Sequence, residues 1–157
     1  MFNLFKKKDG KFLCPASGSL KSLSDSIDEV FSSKSLGDGF IIEPSEGKIY
    51  SPVSGKISMI FPTAHAIAIT DKNGMELLIH IGVDTVKLNG DGFESIVEEG
   101  QSVKEGQLIS KFDLEKIKGR VPSTDIMFIF TSGEKCKINK SGIKVSAKEE
   151  NIITIEK

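Results

Sequence analysis

The stretch that decides the fold is residues 64–81, which read AHAIAITDKNGMELLIHI. Two apolar runs flank the segment 71–74, whose sequence is Asp-Lys-Asn-Gly. Aspartate, asparagine and glycine between two apolar runs are typical of the turn of an antiparallel β-hairpin. We therefore predict two antiparallel strands joined by a tight turn, with His65 near the start of the first and His80 near the end of the second.

The turn type decides which residues face each other. If Lys72 and Asn73 form a two-residue loop, His65 falls directly opposite His80, with Cβ atoms about 4.5–5.5 Å apart. The other face then carries pairs of a small and a large residue, which would make a plausible core: Ala64 with Ile81, Ala66 with Ile79, and Ala68 with Leu77. A type I turn with a glycine bulge would shift the register by one residue and could put the histidines on opposite faces.

The rest of the chain has the same pattern of short apolar runs separated by glycine, serine, proline and aspartate. The further runs are residues 40–42, 56–60, 107–109, 126–130 and 152–155. This pattern predicts an all-β fold, an antiparallel β-sandwich or barrel-like structure. Helix is sparse, and we expect only short helical connectors over residues 24–32 (with Ser24 as the N-cap), 92–98 and 114–118.

Composition narrows the function classes. The chain has 157 residues, with 21 Lys and Arg against 22 Asp and Glu, so its net charge of −1 argues against a nucleic-acid binder.

We expect a flexible segment over residues 1–12 and one domain over residues 13–157. No run is long and apolar enough to predict stable membrane insertion. Cys14 and Cys136 lack metal-ligand spacing, and we expect a reducing, cytoplasmic location without chemistry at either thiol.

His65 and His80 are the chain's two histidines. A neutral imidazole can act as a nucleophile, a proton shuttle or a metal ligand near pH 7, and the choice depends on what holds the other ring nitrogen. Proximity in one hairpin therefore indicates a shared site but leaves its chemistry open.

The segment 76–93, ELLIHIGVDTVKLNGDGF, closely resembles the glucose-type enzyme IIA family of the bacterial phosphoenolpyruvate-dependent sugar phosphotransferase system. The resemblance covers nearly the whole chain after the first dozen residues. The further matching segments are residues 37–39, 51–55, 61–66, 99–106 and 112–114. It implies an antiparallel β-sandwich that carries a phosphoryl group and requires no cofactor.

The resemblance also implies roles for individual residues. His80 would accept the phosphoryl group from the phosphocarrier protein HPr, for transfer to a cysteine on the enzyme IIB domain of a sugar permease. His65 would assist the onward step, with Thr63 as its hydrogen-bonding partner. We expect the backbone carbonyl of Gly82 to hold one ring nitrogen of His80, which leaves the other free to attack.

Successive docking of two partners implies an apolar depression around the histidines, with acidic residues that meet basic residues of the partners. By resemblance the apolar positions are Val30, Phe31, Leu36, Phe61, Leu78 and Val86, and the acidic ones are Asp28 and Asp84. Each apolar residue could equally be ordinary core, and each aspartate could be a solvated turn residue.

Two rival functions remain open. A zinc-dependent hydrolase could use His65, His80 and a carboxylate such as Asp84, although the chain lacks a His-Glu-x-x-His motif. A related alternative is a regulatory zinc site in which the two histidines borrow a partner's carboxylate. The second rival is a biotin- or lipoate-type carrier, suggested by residues 99–108. Such a carrier needs a modified lysine at a hairpin tip, where Lys72 lies.

Overall fold

The structure is a computed structural model that describes residues 11–140 and 142–157. Strands dominate the described part of the chain. They are β1 (Gly18–Ser22), β2 (Asp38–Pro44), β3 (Lys48–Tyr50), β4 (Gly55–Ile60), β5 (Ala66–Asp71), β6 (Glu76–Val83), β7 (Phe93–Ser95), β8 (Ser102–Val103), β9 (Leu108–Phe112), β10 (Ser123–Phe130), β11 (Lys135–Ile138), β12 (Lys144–Val145) and β13 (Ile153–Glu156).

Three antiparallel sheets are built from these strands. The largest has the order β12-β1-β2-β10-β6-β5-β4-β8, the second β3-β9-β7, and the third pairs β11 with β13. Residues of the two larger sheets share one apolar core, in which Phe40 stacks on Phe128 with ring centroids 4.9 Å apart. The prediction of an all-β, antiparallel sandwich is therefore confirmed.

The hairpin formed by β5 and β6 does not have the two-residue loop. Its register places Ala66 opposite His80, and Asp71 N–H donates to the carbonyl of Met75 (2.9 Å). Gly74 adopts φ +89°, and the Asp71 carboxylate accepts from the N–H groups of Asn73 and Met75 at 2.9 Å. These are the features of a three-residue loop closed by a glycine bulge. The predicted opposition of the two histidines is wrong.

The shifted register also changes which side chains of β5 face the core. Ile67 lies opposite Ile79 and Ile69 opposite Leu77, and all four belong to the main core. The predicted core pairs of an alanine with a larger residue are therefore wrong. The observed register buries the large apolar side chains of both strands on one face, which removes more apolar surface from water.

The helical connectors are short. They comprise α1 (Glu29–Ser32), α2 (Leu114–Ile117) and the 3₁₀ turns Leu23–Asp25 and Thr85–Leu88. The helix predicted over 24–32 is divided into a 3₁₀ turn capped by Ser22, not Ser24, and α1 capped by Asp28. The helix predicted over 92–98 is wrong, because Phe93–Ser95 pairs with β9 as strand β7.

The predicted flexible segment over 1–12 falls mainly on residues 1–10, which lie outside the described residues. Phe12, its last residue, packs its ring at a centroid distance of 6.0 Å from both Phe40 and Phe130. Within the described ranges, no helix is long and apolar enough to cross a membrane.

Both cysteines are free thiols. Cys14 is buried, and burial raises the pKa of its thiol to about 11. Burial and the nearby charge of Asp38 raise the pKa of the Cys136 thiol to about 12. Thiolates are the reactive form of cysteine, so neither side chain is poised for chemistry near neutral pH.

Candidate functional site

His80 lies on the outer face of the large sheet, away from the main core. It is opposite Met127 of β10 on one side and Ala66 of β5 on the other. A second, smaller apolar cluster covers this face beside it. Its buried members are Leu23, Phe31, Ile41, Val83, Met127 and Ile129, with Leu78 packed against them. Because side chains alternate along β6, the residues on either side of His80, Ile79 and Ile81, point into the main core.

His65 reaches the same face although its carbonyl still accepts from the N–H of Ile81 in β6 at 2.8 Å. It precedes β5, and Ala64 before it adopts the left-handed conformation with φ +60°. The N–H of Ala64 donates to the carbonyl of Phe61 at 2.7 Å, which closes a tight turn. The side chain of His65 is therefore not fixed by the alternation of β5, and the two imidazoles meet with centroids 5.0 Å apart at 81°. The rings are adjacent even though the register that predicted their adjacency is wrong.

The hydrogen bond from His80 to the main chain defines which ring nitrogen is available. Nδ1 of His80 lies 2.8 Å from the carbonyl oxygen of Gly82. A carbonyl can only accept, so Nδ1 must carry the proton, and in the neutral ring Nε2 then has the lone pair. Glycine is needed at position 82, since φ is +79° and a Cβ would lie 2.5 Å from Cγ2 of Thr85.

His65 is held by a side chain instead of the backbone. Its Nδ1 lies 2.5 Å from Oγ1 of Thr63, and the ring of Phe61 packs edge-on against it with centroids 5.4 Å apart. Only 3% of His65 is exposed to solvent. If the Thr63 hydroxyl donates to Nδ1, Nε2 carries the proton and is a donor.

Both histidines favour the neutral form. Burial, and after it the charge of His80, lower the pKa of His65 to about 4. Burial also lowers the pKa of His80, against the opposing effects of the Gly82 carbonyl and of the charges on Asp28 and Asp84. Near pH 7 the site therefore offers an uncharged nucleophilic nitrogen on His80 beside an uncharged His65.

Four of the six predicted apolar contact residues are exposed, and two are not. The exposed residues are Val30, Leu36, Phe61 and Val86. Leu78 is half-buried, and Phe31 is only 5% exposed because its ring packs against His80 with centroids 5.0 Å apart. Phe31 therefore offers little surface in the free protein, and its contribution to a docking site stays a prediction.

The sequence reasoning missed Met59, which is exposed on the same face. Met59 lies opposite Ala68, and Ala68 lies opposite Leu78, so the apolar face continues across β5 onto β4. A bulge between Ile57 and Met59 turns Met59 to this face. Alternation counted from the buried Ile57 would have buried Met59, so the sequence pattern contained no signal for it.

The two predicted acidic residues flank the site in special backbone positions. Oδ1 of Asp28 accepts from the N–H of Val30 at 2.9 Å and caps α1. Asp84 adopts the left-handed conformation with φ +62° and has a half-exposed side chain. Lys87 lies 4.0 Å from the Asp84 carboxylate. The charges of both aspartates act on His80 and favour a higher pKa of its ring.

Among the described residues, no group of three His, Cys, Asp or Glu side chains is arranged to hold a metal ion. The structure therefore does not bring Asp84 together with His65 and His80 as a zinc site, and the hydrolase hypothesis loses its metal centre. Lys72, the residue that a biotin- or lipoate-type carrier would need to have modified, is exposed in the hairpin turn.

Three comparisons identify proteins that this chain is similar to. A family model described as "phosphoenolpyruvate-dependent sugar phosphotransferase system, EIIA 1" matches residues 10–136. The "PTS system glucosamine-specific EIICBA component" of Bacillus subtilis (strain 168) is 50% identical over 131 residues, which are 82% of this chain and 21% of that protein. The chain thus spans about a fifth of the length of this relative.

A solved structure, "Glucose permease IIA from Mycoplasma capricolum", superposes with a TM-score of 0.86 at 42% identity. The match covers 95% of this chain and 97% of that one. The range matched by the family model includes both histidines and Thr63.

Proposed function

Since this chain belongs to the EIIA family of the phosphoenolpyruvate-dependent sugar phosphotransferase system, we propose that it carries a phosphoryl group on His80. In this proposal the donor is the phosphocarrier protein HPr. The acceptor is a cysteine of the enzyme IIB domain of a sugar permease, and the reaction takes place in the cytoplasm. The observation that carries the assignment is the hydrogen bond from Nδ1 of His80 to the carbonyl of Gly82.

That hydrogen bond fixes the direction of attack. With Nδ1 protonated, the lone pair on Nε2 attacks phosphorus, and the bond from phosphorus to the donor atom breaks as the new P–N bond forms. The imidazole becomes a cation, and its Nδ1–H bond to the Gly82 carbonyl strengthens as this charge develops. Transfer through a loose transition state requires placement and charge stabilisation more than covalent assistance, which suits a ring held at one nitrogen.

His65 supplies a donor beside the transferred group. With the Thr63 hydroxyl donating to Nδ1, the Nε2–H of His65 is available for the phosphoryl oxygens, and the ring centroids are 5.0 Å apart. A neutral donor can stabilise the developing charge without binding the phosphoryl group so tightly that onward transfer slows. We therefore assign His65 to transfer toward the permease and Thr63 to holding its ring.

The surface around the site fits partner proteins better than a small substrate. Val30 and Val86 are each about half exposed, at 50% and 51%, and Phe61 and Leu36 add further apolar surface. Asp28 and Asp84 contribute negative charge beside these apolar side chains. An apolar centre with an acidic rim is complementary to a partner that has an apolar patch bordered by lysine or arginine.

The test is a reconstituted phosphorylation with phosphoenolpyruvate, enzyme I and HPr, followed by intact-mass measurement and mapping of acid-labile phosphate. We expect one phosphoryl group on His80 in the wild type and none on the His80→Ala variant. The His65→Gln variant should still be phosphorylated but should pass the group to an enzyme IIB domain about 100-fold more slowly. Absence of phosphate from His80, while a known EIIA is phosphorylated in the same mixture, would refute the proposal.

A further inference from the structure

We propose that Phe31 is a positioning residue for His80, and that it acts on the ring of that histidine rather than as a docking contact for a partner protein. The inference rests on the proposed role of His80. It assigns to Phe31 a task different from that of the exposed apolar residues around it.

Burial separates Phe31 from its neighbour in the same short helix. Val30 is 50% exposed, whereas Phe31 is 5% exposed. A partner that docks on this surface would cover Val30 but would find almost none of the Phe31 ring to contact. The apolar area that Phe31 could bury on binding is correspondingly small.

The Phe31 ring instead contacts the reacting imidazole. Its centroid lies 5.0 Å from that of His80 with the rings inclined at 55°, and the centroid of His65 lies at the same 5.0 Å distance from His80. The hydrogen bond to Gly82 fixes one nitrogen of the His80 ring but does not by itself stop the ring from tilting about that contact. Packing of the Phe31 and His65 rings against the imidazole restricts this tilt, and so keeps Nε2 aimed at the incoming phosphorus.

Phe31 can do this because it is itself firmly held. It belongs to the buried cluster on the outer face, which includes Leu23, Ile41 and Met127. Two hydrogen bonds hold the backbone of the preceding residue, Val30: its N–H donates to the Asp28 carboxylate at 2.9 Å, and its carbonyl accepts from the Ser35 hydroxyl at 3.0 Å. A small displacement of a positioning group can reduce the rate of a transfer reaction by a large factor.

The experiment compares Phe31→Leu with Val30→Ala, which changes the exposed neighbour in the same helix. Phosphorylation is measured by rapid quench over a range of phospho-HPr concentrations. For Phe31→Leu we expect the maximal rate constant to fall about 10-fold, with the half-saturating HPr concentration unchanged within about twofold. For Val30→Ala we expect the half-saturating concentration to rise and the maximal rate constant to stay the same.

A second readout requires no partner protein. NMR relaxation of the ring C–H groups of His80 reports how far the ring moves, and we expect lower order parameters in Phe31→Leu and in Phe31→Met but not in Val30→Ala. Failure of the wild type to be phosphorylated would refute the proposed function alone, because the relaxation measurement does not depend on it. Unchanged order parameters in both Phe31 variants, or a change only in half-saturation, would overturn the positioning role.

Discussion

The acid sensitivity of the fold should depend on His65. This imidazole is buried, and its pKa in the folded protein is about 4, compared with the ordinary value of 6.5 expected in the unfolded chain. Between these two values the unfolded chain binds a proton that the folded protein does not, so stability is lost as the pH falls. The difference corresponds to about 3 kcal/mol of unfolding free energy lost between pH 7 and pH 4 through this one residue.

The assay is urea unfolding of the wild type and of His65→Gln at pH 7 and at pH 4. Glutamine has no proton to gain, whereas the carboxylates and His80 titrate in both proteins. We expect the variant to lose about 3 kcal/mol less than the wild type between the two pH values, whatever its stability at pH 7. Equal losses in the two proteins would show that His65 titrates normally in the folded state, and the reasoning from its burial would then be refuted.

Three further predictions concern single substitutions. Gly82→Ala should cost about 2 kcal/mol or more in urea unfolding and should slow phosphorylation, because the new Cβ meets Thr85 and displaces the carbonyl that holds His80. The control is Gly74→Ala, at a glycine that also has a positive φ but has open space where the Cβ would lie. It should cost about 1 kcal/mol without slowing the reaction. Ser110→Ala should raise the unfolding free energy by about 1 kcal/mol, since its buried hydroxyl has no hydrogen-bond partner among residues 11–140 and 142–157. A loss of stability would contradict this. The double variant Asp28→Asn, Asp84→Asn retains the helix cap and the left-handed backbone but removes both charges. Its association rate constant with HPr, measured by stopped flow, should be several-fold lower than that of the wild type at low salt and equal to it at high salt. An unchanged rate constant at low salt would exclude a steering role for the two charges.

The hairpin shows which features the sequence pattern predicts and which it does not. Two apolar runs around Asp-Lys-Asn-Gly were enough to predict antiparallel strands, because turn residues and apolar runs act locally. They did not determine the register, which depends on whether Gly74 closes a two-residue or a three-residue loop. The Asp71 carboxylate, which accepts from two N–H groups of the turn, and the packing of Ile67 against Ile79 in the core both favour the longer loop.

The helical connectors likewise include one that the local sequence predicted correctly and one that it did not. The Leu114–Ile117 helix was predicted, and its cap, the Asp113 side chain, precedes it directly in the sequence. The helix predicted over 92–98 fails because Phe93–Ser95 has a partner strand, β9, about fifteen residues further along the chain. A short segment follows its pairing partner rather than its own propensity, and that partner is not visible in a local window.

The sequence by itself determined the all-β class, the hairpin and the two histidines of the site, because short apolar runs, turn residues and the long motif around His80 are all local in the chain. Only the tertiary structure decided that the histidine rings meet and that Phe31 lies buried against one of them. Ala64 in its left-handed conformation takes His65 out of the alternation of β5, and the outer apolar cluster draws Phe31 inward from an exposed helix. The contact between the two histidine rings and the burial of Phe31 both join residues far apart in the chain, where the free energy of burial outweighs local preference.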